Sequence, residues 1–150
     1  MSKKTVENCK KYLKAIGWVN IGIAALTIIT AIIMMIAKAP LDQLQLADAD
    51  KLIKEHNMSE DTVRVIACCT IIFTGLISAF FGNVIRRAGV NTKKTTLALV
   101  FVVLGSISAA TGVFNGKFES VGATIANILH LTVYILAFMA IMKIRNEEDK

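Results

Sequence analysis

The chain has 150 residues, of which 55% are hydrophobic and 19% are charged, and its mean hydropathy is +0.60. A soluble helical domain keeps one wet face on each helix, so polar residues interrupt its apolar stretches every few positions. Here the charged residues are clustered, and the stretches between the clusters are long. This placement excludes an ordinary soluble domain and indicates an integral membrane protein.

Four stretches without Asp, Glu, Lys or Arg occupy residues 15–37, 65–85, 95–116 and 120–142. Each has 21 to 23 residues, and a helix needs about 20 residues to cross a hydrocarbon core about 30 Å thick. None of them alternates in polarity as a barrel strand does, and a helix satisfies its own backbone hydrogen bonds in lipid. We therefore predict an all-α integral membrane protein, a single domain over 1–150 with four transmembrane helices in an antiparallel up-down bundle.

The first span has features of a secretion signal. It follows a basic segment, and Ala37-Lys38-Ala39 resembles a small-residue cleavage site. However, its apolar stretch is longer than the usual signal core of about 7–15 residues, and Pro40 after the site disfavours cleavage. We therefore expect an uncleaved membrane anchor.

Lys and Arg are distributed unevenly between the segments that flank the spans. The amino-terminal arm, the connection between the second and third spans and the carboxyl tail hold 12 of the 17 basic residues. Because positive charge favours the cytoplasmic side, we predict that both termini are cytoplasmic, in a bacterial cytoplasmic membrane. The same residues predict attraction to anionic lipid headgroups. They are dispersed beside the spans without interleaved aromatic residues, so no nucleic-acid partner is predicted.

The longest polar segment, 38–64, is predicted to lie outside the cell. Asp48 can cap a short amphipathic helix that runs to about His56, with Asn57 as its stop. The acidic residues of this segment do not have the spacing of a calcium-binding EF-hand loop, so we predict no metal site there. Binding of a protein partner through 38–64 stays open.

The second span has a local start signal. Ser59 is a suitable N-cap, because its hydroxyl oxygen can accept a hydrogen bond from a first-turn N–H group. Glu60 and Asp61 then fall in the first turn, where the helix dipole favours acidic side chains. We therefore expect the helix of this span to begin just after Ser59.

The fourth span contains a polar face. His130 is the one basic side chain within any span, and Asn127 and Tyr134 lie three residues before it and four residues after it. The three side chains share one helix face, which should point into the bundle because polar groups in lipid are costly. This candidate polar site could respond to protons or contact a substrate. Alternatively, a neutral His130 could hydrogen-bond a neighbouring helix and add packing specificity, which is the role that we favour.

Small residues mark the expected contact faces of the helices, because small side chains four residues apart let two backbones approach closely. The candidate packing residues are Gly105, Ser108, Ala109, Gly112 and Gly116 in the third span, and Gly75 and Gly82 in the second. We expect these rows to pack within the bundle. Alternatively, one row, most plausibly that of the third span, faces a second copy in a homo-oligomer.

No catalytic motif is found, neither a phosphate-binding glycine loop nor a zinc or nucleophile motif, so no catalytic residue, cofactor or metal is predicted. Spans without a full charge argue against ion-coupled transport. The leading interpretation is a small non-catalytic accessory, regulatory or immunity-type component that acts through helix–helix and outer-loop contacts. The alternative is an oligomeric small-solute transporter or pore lined by Asn127, His130 and Tyr134. A membrane-embedded enzyme is the third interpretation.

Overall fold

The structure, a computed structural model, describes residues 3–41, 53, 56–115 and 121–148, and side chains over 4–41, 53, 56–111 and 128–147. Within these residues all regular secondary structure is helical, with no strand. Four of the helices are long and apolar enough to cross a membrane. The chain is therefore an all-helical protein of the multi-pass membrane class, as the charge-free stretches predict.

The four long helices agree closely with the four predicted spans. They are α1 (Lys3–Ile36), α2 (Glu60–Ala88), α3 (Thr95–Asn115) and α4 (Val121–Glu148), with a 3-10 turn, Thr92–Lys94, before α3. Each covers its predicted span to within one residue, and α1, α2 and α4 also extend into the flanking polar sequence. The charged residues next to the spans are therefore carried largely on helices.

The amino-terminal extension of α1 is stabilised by burial of one of its faces. Cys9 and Leu13, four residues apart, are both buried. On an exposed face, Lys11 and Glu7 form an i,i+4 ion pair of 3.2 Å, a contact worth roughly 0.2–0.5 kcal/mol on a helix surface. The basic amino-terminal arm thus forms the first turns of α1.

The carboxyl end of α1 is closed by a Schellman motif. The N–H of Lys38 donates to the Met35 carbonyl (3.4 Å), and the N–H of Ala39 donates to the Met34 carbonyl (3.0 Å). Lys38 has a φ of 50°, the left-handed conformation in which glycine is usual after a helix. Pro40 follows and cannot continue the helix.

The start of α2 confirms the predicted cap. The N–H of Thr62 donates to the Ser59 hydroxyl oxygen at 3.2 Å. Glu60 and Asp61 lie in the first turn, where their negative charges interact favourably with the positive end of the helix dipole. Ser59 and the two acidic residues after it therefore determine where α2 begins.

The short outer-loop helix predicted from Asp48 to His56 lies mostly outside the described residues. Of its positions only Ile53 and His56 are described, and both are helical. Asn57, predicted as its stop, has a φ of 50°. This conformation is common for an Asn that follows the last turn of a helix.

Five hydroxyl groups within the helices are satisfied by the backbone of their own helix. Each donates to the carbonyl of the residue four positions earlier, at 2.8–3.0 Å; these residues are Thr27, Thr70, Thr74, Ser106 and Thr132. A hydroxyl bonded in this way leaves no free donor toward lipid. Such residues are therefore compatible with a span even where they are exposed.

The chain packs as two compact units: a first unit of Met1–Asn20 with Phe80–Lys150, and a second unit of Ile21–Ala79. The buried cluster of the first unit contains residues from all four helices, and its fully buried large side chains are Leu13, Ile85, Val102, Ile141 and Ile144. In this unit α3 and α4 are in contact. The prediction of one domain over 1–150 stays a prediction.

Glycines set the separation of α1 and α2 in the first unit. A Cβ added at Gly17 would lie 2.6 Å from the Gly82 carbonyl oxygen and 2.6 Å from the backbone nitrogen of Arg86. A Cβ added at Gly89 would lie 2.6 Å from the Lys10 carbonyl oxygen. The earlier residue of α1, Lys10, contacts the later residue of α2, Gly89, so these segments of α1 and α2 are antiparallel. We call the contact of these three glycines the glycine seam.

In the second unit, a further glycine brings α1 and α2 together. A Cβ added at Gly75 would lie 2.7 Å from Cγ1 of Ile28 and 3.4 Å from the Ala24 carbonyl oxygen. The first of these neighbours is a flexible side chain, so this contact can adjust more readily than the backbone contacts of the glycine seam. The small buried cluster of this unit is formed by Ala67 and Cys68, with Met34, Met35, Leu41 and Ile71 packed against it.

Arg64, counted with the outer loop in the sequence, is a buried residue of α2. Its side chain is 11% exposed and forms an ion pair with Asp61. Its Nε also donates to the Ala39 carbonyl at 2.9 Å. The ion pair and the hydrogen bond offset the cost of burying the guanidinium, and they join the end of α1 to the start of α2 within the second unit.

Gly17→Ala should lower the free energy of unfolding by about 1–3 kcal/mol, because the added methyl would overlap backbone atoms of α2. The measurement is the unfolding midpoint of the full chain in one mild detergent. Gly22→Ala, on the same helix, is the matched control, because a Cβ there meets no atom within 4 Å. It should be neutral or slightly stabilising, since Ala is the better helix former. Equal losses in the two variants would contradict the role of the glycine seam.

Candidate functional site

Two buried polar side chains meet in the first unit. Asn20 of α1 is 3% exposed, and Tyr134 of α4 is 7% exposed. The Asn20 side chain lies near the Tyr134 hydroxyl, but its amide nitrogen makes no hydrogen bond of ordinary length. Both residues lie within the charge-free stretches 15–37 and 120–142, where an unpaired polar group is costly in a bilayer. We call these two residues the Asn20–Tyr134 pair.

Gly105 of α3 makes room for the Tyr134 ring. A Cβ added at Gly105 would lie 2.7 Å from Cζ of that ring and within 3.0 Å of its two Cε atoms. The ring therefore packs against bare backbone of α3, while its hydroxyl lies near the Asn20 side chain of α1. Residues of three helices, Asn20, Gly105 and Tyr134, are brought together at one place.

Asn20 is the member of this site that the sequence analysis missed. It is the one Asn or Gln in the stretch 15–37. A single amide side chain in an apolar span was the signal by which it could have been identified. Its amide nitrogen is buried and has no hydrogen-bond partner at ordinary distance among the described residues. A buried donor without a partner costs about 1–3 kcal/mol, so Asn20 is not optimised for stability alone.

The predicted polar face of α4 is only partly assembled into this site. Asn127, His130 and Tyr134 all lie on α4, but Tyr134 is the one that meets Asn20. His130 is half-buried, and the side chain of Asn127 lies outside the described side chains. A role for His130 in contacting protons or substrate therefore stays a prediction.

The two small-residue rows of α3 differ in their surroundings. Gly105 and Ala109 are buried, whereas Ser108 is exposed. Gly112 lies within α3, beyond the part of that helix with described side chains, and Gly116 lies outside the described residues. The row with Gly105 is thus turned to α4, and Ser108 is on a face that the described chain leaves uncovered.

The chemistry available at the Asn20–Tyr134 pair is hydrogen bonding. An amide and a phenol can each donate and accept. Over the described ranges no group of three or more His, Cys, Asp or Glu side chains is placed to hold a metal ion. Comparison of the chain with protein-family models, curated proteins and solved structures finds no match. Function is therefore inferred from the residues and their contacts.

Tyr134→Phe should lower the free energy of unfolding by at most roughly 0.6 kcal/mol, the average for polar contacts between membrane helices, because the Asn20 amide nitrogen makes no hydrogen bond of ordinary length. In an Asn20→Ala background the same change should cost almost nothing, because the partner has already been removed. Unfolding midpoints of the four proteins in one detergent measure this coupling. Tyr12→Phe is the matched control, since Tyr12 is 66% exposed and should show no effect. Equal costs in both backgrounds would contradict the pairing.

Proposed function

We propose that this chain is a small non-catalytic membrane protein that acts as an accessory, regulatory or immunity-type component. The observation that carries this proposal is the Asn20–Tyr134 pair packed on Gly105. Its two polar side chains are buried near each other among α1, α3 and α4, and polar residues buried in this way join membrane helices. A catalytic site or transport path instead needs polar groups open to a substrate. This use of the polar groups supports a role through contacts rather than through chemistry.

We propose that the four helices cross the cytoplasmic membrane of a bacterial cell in alternating directions, with both termini in the cytoplasm. The buried cluster of the first unit supports this arrangement, because it contains Leu13, Ile85, Ala98 and Ile144. These residues lie near the start of α1, the end of α2, the start of α3 and the end of α4. The same helix ends adjoin the segments that hold 12 of the 17 basic residues, the side that the positive-inside rule assigns to the cytoplasm.

Reporters of membrane sidedness test the proposed orientation. A reporter fused after Lys150 should be active in its cytoplasmic form, and one inserted after Asn57 should be active in its external form, because the bases hold the termini inside. Replacing Arg86, Arg87, Lys93 and Lys94 together by Gln should weaken this preference. Detection of both reporters on one side would overturn the arrangement.

We propose that residues 38–64 bind a protein partner, and that a second copy of this chain is a further candidate partner through the exposed face of α3 with Ser108. The 38–64 segment is the longest polar part of the chain. The Ser59 cap and the buried Arg64 at its end have structural contacts. Residues 42–52 are therefore the part that can be altered without removing these contacts.

Replacing 42–52 by a neutral linker of equal length should abolish co-purification of a stoichiometric partner in mild detergent, because the altered segment carries the proposed contact surface. Gly22→Ala serves as the matched control and should retain the partner. Recovery of a lone monomer from the unaltered chain under all mild conditions would contradict the accessory role. Solute flux in proteoliposomes that His130→Ala abolishes would instead establish the transporter or pore alternative.

A further inference from the structure

Arg86, near the end of α2, is held against α1 by three contacts of the first unit. Its backbone nitrogen and Cβ lie where Gly17 offers no side chain, each 2.6 Å from an added Cβ. Its guanidinium carbon lies 4.8 Å from the centre of the Trp18 ring, a cation–π contact. One of its terminal nitrogens, Nη2, donates to Oδ1 of Asn83 at 3.1 Å. The guanidinium is thus held in one place rather than free in solvent.

This guanidinium has donors that the protein leaves unused. A guanidinium carries five N–H groups in a fixed fork. Nε of Arg86 is buried without a hydrogen-bond partner among the described residues, so an outside anion would meet the terminal nitrogens. In the described part of the chain no carboxylate forms a salt bridge with Arg86. An arginine in this situation matches the geometry of a phosphate or carboxylate, which accept two parallel hydrogen bonds. The position of Arg86 therefore favours binding of an anion, which the described part of the chain does not supply.

The Lys14 side chain packs on α2 about one turn beyond Arg86. It lies one turn before Trp18 on α1, on the same helix face. Its Cγ lies 3.0 Å from a Cβ added at Gly89, and Gly89 is three residues after Arg86 on α2. In the described part of the chain Lys14 has no ion pair, and Glu7, an acid on the same helix, is paired with Lys11. Two uncompensated cations thus lie along one stretch of the glycine seam.

The surroundings favour a lipid as the source of the anion. Trp18 is 59% exposed, and indole rings of this kind settle at the interface between hydrocarbon and headgroups. The charge-free stretch of α1 begins directly after Lys14, so these residues lie where the span meets its basic flank. We propose that Arg86, Lys14 and Trp18 form a binding site for the phosphate of an anionic glycerophospholipid. The proposal rests on the chain lying in a bilayer and is independent of its role toward a partner.

The test uses the full-length protein in a neutral detergent, titrated with phosphatidylglycerol and separately with phosphatidylcholine. Bound lipid is counted by native mass spectrometry, and the unfolding midpoint is recorded with each lipid. Phosphatidylglycerol should bind more tightly and raise the midpoint. Arg86→Gln should weaken its binding about tenfold, the loss expected for hydrogen bonds to a charged group.

Arg87→Gln is the matched control, because it removes the same charge from the adjacent, exposed residue. It should change lipid affinity little. Arg86→Lys keeps the charge but not the forked donors, and should bind less tightly than the unaltered protein. If Arg86→Gln does not fold, Trp18→Leu and Lys14→Gln, both at exposed positions, must each weaken phosphatidylglycerol binding severalfold.

Three results would overturn the proposal. Equal losses from Arg86→Gln and Arg87→Gln would mean general attraction between positive charge and lipid, without a site. Equal affinity for the two lipids would mean that the anionic headgroup is not recognised. If inorganic phosphate alone stabilised the protein as much as phosphatidylglycerol does, the ligand would be free phosphate and not a lipid. The sidedness reporters and the partner pull-down read out independently of this titration, so their failure is distinguishable from its failure.

Discussion

Apolar side chains gain little by leaving lipid for another helix, so membrane helices depend on close backbone contact and on hydrogen bonds between them. In this chain that contact is made at glycines. Gly17 lies against the Gly82 carbonyl and the backbone of Arg86, and Gly105 lies under the Tyr134 ring. The first contact places Arg86 over Trp18, and the second leaves the Tyr134 hydroxyl within reach of Asn20. Each candidate site thus depends on one glycine: the Arg86–Trp18 contact on Gly17, and the Asn20–Tyr134 pair on Gly105.

Features that depend on local sequence or on the bilayer were predictable. The four helices follow from charge-free stretches because a bilayer imposes the same length on every span. The start of α2 follows from Ser59, whose hydroxyl acts on N–H groups of the next turn. The polar extensions of α1 and α4 were not predictable from absence of charge. They depend on burial of residues such as Leu13 and Ile144 against other helices, and this burial requires the tertiary structure.

The candidate site was half predictable for the same reason. Tyr134 was identified by its spacing from His130, a relation within one helix. Its polar neighbour Asn20 belongs to α1, and no spacing on α4 can indicate a residue so distant in the sequence. Gly17 was likewise missed because it is not part of a row of small residues. What makes it essential is the Gly82 carbonyl on the facing helix.

The Asn20–Tyr134 pair also bears on how the molecule is made. Asn20 belongs to α1 and Tyr134 to α4, so Asn20 leaves the ribosome before Tyr134. Unlike the threonine hydroxyls, which bond to the carbonyls of their own helix, the Asn20 amide finds its neighbour on another helix. It must therefore stay without that neighbour while α2 and α3 are inserted. An amide in lipid favours association of α1 with a helix that carries a polar side chain, so this contact between α1 and α4 has to await the synthesis of α4.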